Sequence, residues 1–271
     1  MSDAIAGTIV MKNKPKRLTF GKLFLYRVLF LIGTFAIWQA FVDVGLVDEF
    51  WISKPTSVLA KLASLLPNQQ LYTDILYTMK STLIGFAISA VTGIATAVLF
   101  YKYSLLQKIV DPFILAMYST PRLALAPLFI IWFGVGIASK VALVVSLSYF
   151  IFLLNAYSGL VNVNPRLLAQ VRTMGASDWF IFRKVSLPAS IPWILSGARI
   201  ALGFSLVGAV VGELIIAEEG IGLRIAKASG LFDTTTVFAY LIVISIIGMG
   251  LDQAVRAAES RFASWSTNKA N

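Results

Sequence analysis

The amino-acid sequence predicts an all-α polytopic membrane protein with about six transmembrane helices. Of its 271 residues, 58% are hydrophobic and only 13% are charged, and the mean hydropathy is +0.82. The hydrophobic residues form long runs, and about 20 of them suffice for a helix to cross the ~30 Å hydrocarbon core of a bilayer. The basic residues lie mostly at the ends of these runs. A soluble domain of this length has no interior large enough for so much apolar surface.

Composition also excludes several kinds of chemistry. The chain has no cysteine and no histidine, so it lacks the residues of a disulfide framework, a zinc site or a histidine proton shuttle. We therefore expect no metal and no cofactor bound by this chain. The formal net charge of +10 would suit either nucleic acid or anionic lipid. Because the positive charges flank apolar runs, we expect a lipid bilayer and no nucleic-acid partner.

Six segments have the length and composition of a span: residues 23–42, 81–101, 112–134, 141–160, 191–217 and 234–251. The second and the fourth contain no charged residue, and the first contains only Arg27. The third contains three prolines and Arg122. Proline removes a backbone donor and kinks a helix, which neighbouring groups or a cavity must compensate. We therefore expect this segment to be a broken helix inside the bundle.

The fifth span carries two charged residues, Arg199 and Glu213. The 14 residues that separate them correspond to about 21 Å along a helix, so the two side chains are too far apart to pair within the span. We expect Arg199 near a membrane interface and Glu213 near the outer end.

The distribution of Lys and Arg predicts the orientation. With the N-terminus inside, the cytoplasmic segments hold fourteen basic residues and the outer segments hold six. The fourteen are Lys12, Lys14, Lys16, Arg17, Lys22, Lys102, Lys108, Arg166, Arg172, Arg183, Lys184, Arg256, Arg261 and Lys269; the six are Lys54, Lys61, Lys80, Lys140, Arg224 and Lys227. Both termini are therefore expected in the cytoplasm.

Two further segments flank the first span. Residues 1–22 are basic, and the apolar run after them is too long for a signal peptide and lacks a small-residue cleavage site, so we expect a retained cytoplasmic segment. Residues 43–79 are expected to form an outer loop. Within it, residues 57–66 have apolar positions at helical spacing and follow Pro55, which predicts a short amphipathic helix on the outer surface.

Residues 164–190 form a polar, basic island between apolar runs. Asn164 and Pro165 are typical of a helix start, and Gly175 marks a turn about ten residues later. Residues 176–185 predict a second short helix that ends before Pro188. Two short helices joined at a glycine form a knob that fits a groove of a partner protein.

The island and its context resemble the permeases of binding-protein-dependent ABC importers. Gly175 is followed after nine residues by Val185, and then by Leu187 and Pro188, the arrangement of the family's cytoplasmic coupling loop. Ordered motifs over about residues 20–260 resemble the nitrate, sulfonate, taurine and thiamine-precursor branch. These motifs are TPRLALAPL at 120–128, WFGVG at 132–136, GAS at 175–177, LPASIP at 187–192, GAR at 197–199, EL at 213–214 and GIG at 220–222.

The island departs from the family pattern at one place. The family loop usually begins Glu-Ala-Ala six residues before the glycine, whereas this chain has Ala169, Gln170 and Val171 there. The glutamate and its salt bridge to the partner are therefore absent. We expect Arg172 or Gln170 to share that contact.

The resemblance implies a type I ABC importer permease fold over residues 23–260, with the coupling loop at about 164–190 and a cytoplasmic tail at 261–271. It implies a bacterial inner-membrane complex of two permease copies, expected as a homodimer, two ATPase subunits and an extracytoplasmic solute-binding protein. ATP-Mg would bind to the ATPase, so this chain is expected not to be an enzyme. The implied ATPase-coupling residues are Gly175, Arg172, Gln170, Ala176, Ser177, Leu187 and Pro188.

Polar or charged residues within spans are candidates for the translocation path: Arg122, Thr120, Ser119, Asn155 and Glu213. Arg122 has two open interpretations. It lines the path of an anionic substrate, or it snorkels to the interface or bonds to carbonyl groups of the broken helix. Ser and Thr also bond to their own helix backbone. Glu213 is a candidate for a gate or a dimer contact.

The cargo implied by the branch is a small anion such as a sulfonate, taurine, nitrate or an aromatic carboxylate. A thiamine-precursor-like heterocycle is the alternative. A secondary transporter or channel is less favoured, since coupled carriers generally place acids or histidines in mid-membrane, and Glu213 is the single acid clearly inside a predicted span. The sequence has no GxxxxGK[ST] loop, so the energy must come from another polypeptide.

Overall fold

A computed structural model describes residues 20–215 and 217–267, and within these ranges the chain is a series of helices. The helices are α1 (Phe20–Asp43), α2 (Glu49–Ile52), α3 (Pro55–Leu65), α4 (Gln69–Lys102), α5 (Ser104–Ser119), α6 (Ala126–Phe133), α7 (Ile137–Val161), α8 (Pro165–Thr173), α9 (Asp178–Ile181), α10 (Leu187–Ile215), α11 (Ile221–Gly230) and α12 (Thr234–Thr267). A 3₁₀ turn, Arg122–Leu125, precedes α6, and a π-helical turn, Phe182–Ser186, precedes α10. The predicted basic segment falls mainly on residues 1–19, which lie outside the described residues.

The lengths and compositions of the helices confirm the predicted fold class. Five stretches are long and apolar enough to cross a bilayer: Gly21–Asp43, Gln69–Lys102, Ile137–Val161, Asp178–Ile215 and Thr234–Ala257. A sixth is formed if α5 and the Arg122–Phe133 stretch are counted as one span, which is bent by 81°. The described residues therefore form an all-α bundle with five or six spans, as the apolar runs predict.

The described residues divide into two compact units, one up to residue 56 and one from residue 57 onward. In the first unit, α1 is exposed along almost its whole length, as expected for a helix that faces lipid. In the second unit, α7 packs along both α4 and α10. Gly93 permits one of these close approaches, because a Cβ there would lie 2.8 Å from the carbonyl oxygen of Tyr149.

The first predicted outer loop is shorter than expected. α3 confirms the predicted amphipathic helix, but α4 begins at Gln69, so the prediction of a loop over residues 43–79 is wrong from residue 69 onward. The polar residues Asp74 and Thr78 lower the hydropathy of this stretch, yet both side chains are fully buried. Partners elsewhere in the chain satisfy them, and a hydropathy pattern contains no information on such partners.

Two predictions about proline are also wrong. Pro188 does not end a helix, because α9, the π-helical turn and α10 form one continuous stretch, Asp178–Ile215. The wide turn before α10 accommodates a residue that lacks an N–H. The prediction that the broken segment lies inside the bundle is wrong for α5, where no residue is buried in the single chain, whereas Ala126 at the start of α6 is buried.

Candidate functional site

The polar island folds as a short helix, a tight turn and a second helix. α8 begins after Asn164, whose side-chain oxygen accepts a backbone N–H of the first turn at 2.9 Å. Gly175 has a φ of +81° and donates its N–H to the carbonyl oxygen of Arg172 at 2.9 Å. A residue with a Cβ is strained at this φ, so the turn favours glycine. Ser177 then caps α9. The predicted knob is therefore present.

The tip of the knob exposes large apolar side chains. Met174 is 84% exposed, Trp179 is 66% exposed, and Leu167 and Phe180 are also exposed. Arg172 lies beside them and forms a 3.7 Å ion pair with Asp178. The remaining predicted coupling residues are exposed or half-buried on the knob and on the first turn of α10: Gln170, Ala176, Ser177, Leu187 and Pro188. Clustered exposed apolar side chains on a polar segment are typical of a protein-binding surface.

The base of the knob is fixed to the bundle. Ile181 is only 2% exposed. The hydroxyl groups of Ser186 and Tyr101 share a 2.9 Å hydrogen bond, and the rings of Tyr101 and Phe182 lie 5.7 Å apart. Tyr101 belongs to α4, so the second half of the island is joined to a spanning helix. Movement of the knob is expected to move α4 and α10 with it.

A buried carboxylate cluster, consisting of Asp74, Thr78, Glu213 and Arg224, joins α4 and α10 to α11. The side chains of Asp74, Thr78 and Glu213 have no exposed surface. The Asp74 carboxylate accepts a hydrogen bond from Arg224 Nε at 2.6 Å. The Thr78 hydroxyl donates to Glu213 Oε2 at 2.9 Å. The hydrogen bond that Arg224 donates to Asp74 also raises the pKa of Arg224 above its usual value.

The start of α11 supplies three consecutive N–H groups to this carboxylate cluster. The N–H of Gly220 is donated to Asp74, that of Ile221 to the Thr78 hydroxyl and that of Gly222 to Glu213, at 3.1, 3.0 and 2.9 Å. Carboxylates are favourable at a helix N-terminus because its N–H groups lack partners within the helix. Gly220 has a φ of +115°, and a Cβ on Gly222 would meet the carbonyl oxygen of Val210. The GIG motif is thus explained by the two carboxylates that it binds.

Lys140 lies close to the carboxylate cluster. Its side chain is 1% exposed, and its stem would lie 3.1 Å from a Cβ placed on Gly212, the residue before Glu213. Among the described residues, Lys140 Nζ and Glu213 Oε1 are both buried and have no hydrogen-bond partner. Buried charged groups are usually paired. The N-terminal end of α7 and the C-terminal end of α10 therefore hold a lysine and a glutamate whose polar atoms make no direct contact.

Arg122 is bound to the backbone of α7. Its Nη1 donates to the carbonyl oxygens of Ser146 and Leu147 at 3.2 and 3.1 Å. Its guanidinium also lies over the rings of Tyr118 and Phe150, 4.9 and 5.5 Å from their centroids. These carbonyl oxygens belong to α7 and not to the broken α5–α6 segment, so the contacts attach Arg122 to the neighbouring helix. Its place on the translocation path stays a prediction.

The smaller path candidates bond within their own helices. The Ser119 and Thr120 hydroxyls are exposed and donate to the carbonyl oxygens of Leu115 and Ala116. Asn155 donates to the carbonyl oxygen of Ile151, and its side chain packs against Gly197 of α10. Of the five candidates, the structure brings Glu213 alone into the buried carboxylate cluster, and the others lie apart from it.

Comparison with known proteins identifies the family. The model of the binding-protein-dependent transport system inner membrane component matches residues 89–264, which is more than half of the chain. The chain belongs to this family. The permease is 30% identical over 238 residues to the formylaminopyrimidine transport permease protein ThiX of Halalkalibacterium halodurans, with 88% of this chain and 94% of that protein covered.

Further matches give the branch and the fold. The permease is 28% identical over 255 residues to a putative aliphatic sulfonates transport permease protein, SsuC, of Bacillus subtilis, with 94% of this chain and 92% of that protein covered. It is therefore an ABC importer permease of the sulfonate, taurine and thiamine-precursor branch. A solved structure of the MetNI methionine ABC transporter has a TM-score of 0.64 at 18% identity and covers 71% of this chain and 96% of that one. That likeness concerns the fold.

The roles of several residues of the permease are not predicted by the sequence. The sequence predicts outer-loop or boundary positions for Asp74, Thr78, Lys140 and Arg224. In the structure, however, the first three lie near Glu213, and Arg224 pairs with Asp74. Arg199 Nε donates to Asp252 Oδ1 at 2.7 Å, a pairing across 53 positions that no local pattern indicates. The GIG motif is the one signal that could have located the carboxylate cluster, because glycines two residues apart at a helix start are typical of anion-binding turns.

Proposed function

We propose that this permease is the membrane-spanning subunit of an ATP-driven importer, moving a small anion through a path between two copies of the chain. A separate ATPase would dock on residues 164–190 from the cytoplasm. The observation that carries the proposal is the knob itself, whose tip exposes Met174 and Trp179 and whose base is fixed to α4 and α10. A surface of this kind has a use only if a second protein binds it.

The knob would transmit force as a rigid body. Closure of an ATPase dimer brings its two docking grooves together, and the knobs follow. Because Ser186 and Phe182 are attached to Tyr101 of α4, the spanning helices would move with the knob. A two-state change of the path follows from such rigid movement. ATP-Mg would be held by the ATPase.

The proposed assembly has two permease copies, two ATPase subunits and an extracytoplasmic solute-binding protein in the inner membrane. Both termini would lie in the cytoplasm, with residues 23–260 as the permease domain, residues 1–22 as a basic segment before it and residues 261–271 as a tail. The exposed surface of α5 and α6 supports a homodimer, because an 81° bend with no buried residue in α5 is better sheltered by a second copy than by lipid.

Two cargo classes are supported by particular relatives. The relative named for aliphatic sulfonates supports an organic anion, which is the class that we favour. The relative named for formylaminopyrimidine supports a thiamine-precursor-like heterocycle as the second candidate. The two candidates are separated by a competition experiment in cells, which measures how strongly each compound class inhibits uptake of the other.

Site-specific photocrosslinking tests the docking surface and the orientation together. A photoreactive phenylalanine analogue replaces Met174 in one variant and Leu231 in another, and both positions are at least 80% exposed. Cells that also express the ATPase and the binding protein are irradiated, and the products are identified by peptide mass. We expect Met174 to capture a chain that contains a GxxxxGK[ST] loop and Leu231 not to capture it. Capture of the ATPase from Leu231 alone would show that the orientation is opposite to the one proposed, and it would overturn the docking assignment.

A further inference from the structure

Two opposite charges are buried at one end of the α7–α10 helix pair. Lys140 lies in the first turn of α7, and its side chain is 1% exposed. Glu213 lies in the last turn of α10 and has no exposed surface. Lys140 Nζ and Glu213 Oε1 both lack a hydrogen-bond partner among the described residues. A lysine near the end of a span usually extends its ammonium group to water, so the burial of this one indicates a partner inside the bundle.

The packing of α7 against α10 brings the two residues together. The helices are antiparallel, because Gly208 lies against Val144, and Gly212, one turn later in α10, lies against Lys140, one turn earlier in α7. A glycine has no side chain to hold the helices apart. The stem of Lys140 therefore lies on the backbone of α10, next to the residue before Glu213.

Each of the two charges lies at the unfavourable end of its own helix. The N-terminus of a helix carries a partial positive charge and disfavours an ammonium group, and the C-terminus carries a partial negative charge and disfavours a carboxylate. Because α7 and α10 are antiparallel, these two unfavourable positions lie at the same end of the pair. The buried interior screens charges weakly, so Lys140 and Glu213 attract each other without direct contact. Each charge is tolerated because the other is near.

Glu213 also attaches this end of the pair to α11. Its Oε2 accepts the N–H of Gly222 and the hydroxyl of Thr78, both at 2.9 Å. A Cβ placed on Gly220 would lie 2.7 Å from Oε1, so the backbone before α11 covers the carboxylate. A change in the charge of Glu213 or of its counter-ion therefore affects α7, α10 and α11 together.

We infer that Lys140 and Glu213 form a charge-paired latch, which holds the N-terminal end of α7 closed against the C-terminal end of α10. α10 begins beside the knob, so the latch closes the opposite end of the bundle. The other carboxylate whose charge acts on Lys140 is that of Glu218, which is exposed and therefore hydrated. The role of the latch as an outer gate rests on the proposed import function, in which the latch opens when the path faces outward.

A double-mutant cycle on the full-length chain in mild detergent tests the pairing. Lys140→Met and Glu213→Gln each leave one buried charge alone, so we expect each to lower the unfolding midpoint by about 6 °C or more. Glutamine keeps an acceptor oxygen for the N–H of Gly222. The double variant Lys140→Met/Glu213→Gln buries no lone charge and is expected to recover to within about 2 °C of the native midpoint. If a single variant fails to accumulate, accumulation of the double variant is the same rescue.

Glu218→Gln is the matched control for the partner of Lys140. It removes the exposed carboxylate, and we expect Lys140→Met/Glu218→Gln to unfold at the same midpoint as Lys140→Met. Rescue by Glu218→Gln instead of Glu213→Gln would overturn the pairing. Additive losses in Lys140→Met/Glu213→Gln, or single variants with the native midpoint, would overturn it as well.

A labelling experiment separates a local latch from general packing. The chain has no cysteine, so Ser139→Cys and Ser148→Cys each introduce one thiol, at positions that are 3% and 0% exposed. Ser148 lies about 14 Å farther along α7. In nanodiscs, which expose both faces, we expect Lys140→Met to raise maleimide labelling of Ser139→Cys by about tenfold or more and to leave Ser148→Cys protected. Equal increases at both positions, or no increase at Ser139→Cys, would contradict the latch.

The gate role is tested in the complex with the ATPase. We expect a non-hydrolysable ATP analogue to raise labelling of Ser139→Cys in the otherwise native chain, and unchanged labelling would refute the gate. The midpoint measurements use the chain without ATPase and do not depend on import. Additive midpoints in a chain whose uptake requires ATP would refute the latch and leave the import function intact. Rescue in a chain that transports without ATP would support the latch and refute the import function.

Discussion

Asp74 and Arg224 form a 2.6 Å ion pair across 150 positions of the chain. Asp74 lies in the first turns of α4, is fully buried, and also accepts the N–H of Gly220. Arg224 lies in α11 and is about one-quarter exposed. The pair therefore fixes a short helix of the proposed outer surface to a spanning helix.

Removing the negative partner should destabilise the permease. Asp74→Asn leaves Arg224 without its ion pair and weakens the hydrogen bond from Gly220, so we expect a loss of about 3 kcal/mol, at the low end for a broken buried pair because Arg224 is partly exposed. Thermal unfolding in mild detergent, followed by size-exclusion chromatography, measures the change. Lys54→Gln removes two ion pairs at the surface, with Asp43 and Glu49, and is expected to leave the midpoint unchanged. Equal effects of the two variants would contradict the structural role given to the buried pair.

The two ends of α11 should respond differently to the same substitution. A Cβ on Gly222 meets the Val210 carbonyl oxygen and the Glu213 side chain, so Gly222→Ala is expected to cost about 2 kcal/mol of stability. Gly230, at the other end of the helix, has nothing within 4 Å of its Cβ position. Gly230→Ala is expected to be neutral or to stabilise by up to about 1 kcal/mol, because alanine is the better helix residue. Equal unfolding midpoints for Gly222→Ala and Gly230→Ala would refute the tight approach at Gly222.

Substitution at the turn of the knob should uncouple transport without affecting folding. Gly175→Arg places a bulky side chain between α8 and α9, and we expect ATP-dependent uptake to be lost while the protein level in the membrane stays normal. Gly45→Arg is the matched control, since Gly45 has nearly the same φ, +77° against +81°, and equally open surroundings. Uptake is measured in cells and normalised to immunoblots. Normal uptake by Gly175→Arg would exclude the coupling role.

Arg122→Gln should reduce transport because it alters the shape of the α5–α6 bend. The shorter side chain loses the bonds to the α7 carbonyl oxygens and the contact with Tyr118, so the α5–α6 bend is expected to loosen. We expect a lower unfolding midpoint and a lower maximal uptake rate, an unchanged cargo concentration at half-maximal uptake, and normal retention of the ATPase. A selective rise in the half-saturating concentration would instead place Arg122 in contact with cargo.

Sequence patterns predict the parts of the fold that depend on local physics. The length of the hydrophobic runs locates the spans, because the thickness of the bilayer sets the length that a span must have. The helix start at Asn164 and the turn at Gly175 follow from backbone preferences, which act within a few residues. The same local logic explains why α3 is recognised as an amphipathic helix.

Sequence patterns fail where a residue depends on a distant partner. Asp74 lowers local hydropathy and so predicts a loop, although the N–H of Gly220 and the side chain of Arg224 stabilise it inside α4. Pro188 predicts a helix end, and the π-helical turn that accommodates it has no simple sequence signature. Likewise, Arg199 and Asp252 lie on separate spans, so only the packing of α10 against α12 shows that they pair.

The most direct measurement for the central claim is native mass analysis of the tagged chain, co-expressed with its ATPase and extracted in mild detergent, followed by reconstitution of the same material into liposomes. The account predicts two copies of this chain with two copies of an ATPase and uptake that requires ATP. A lone chain or homo-oligomer that transports without ATP would contradict the account and identify the protein as a carrier or channel.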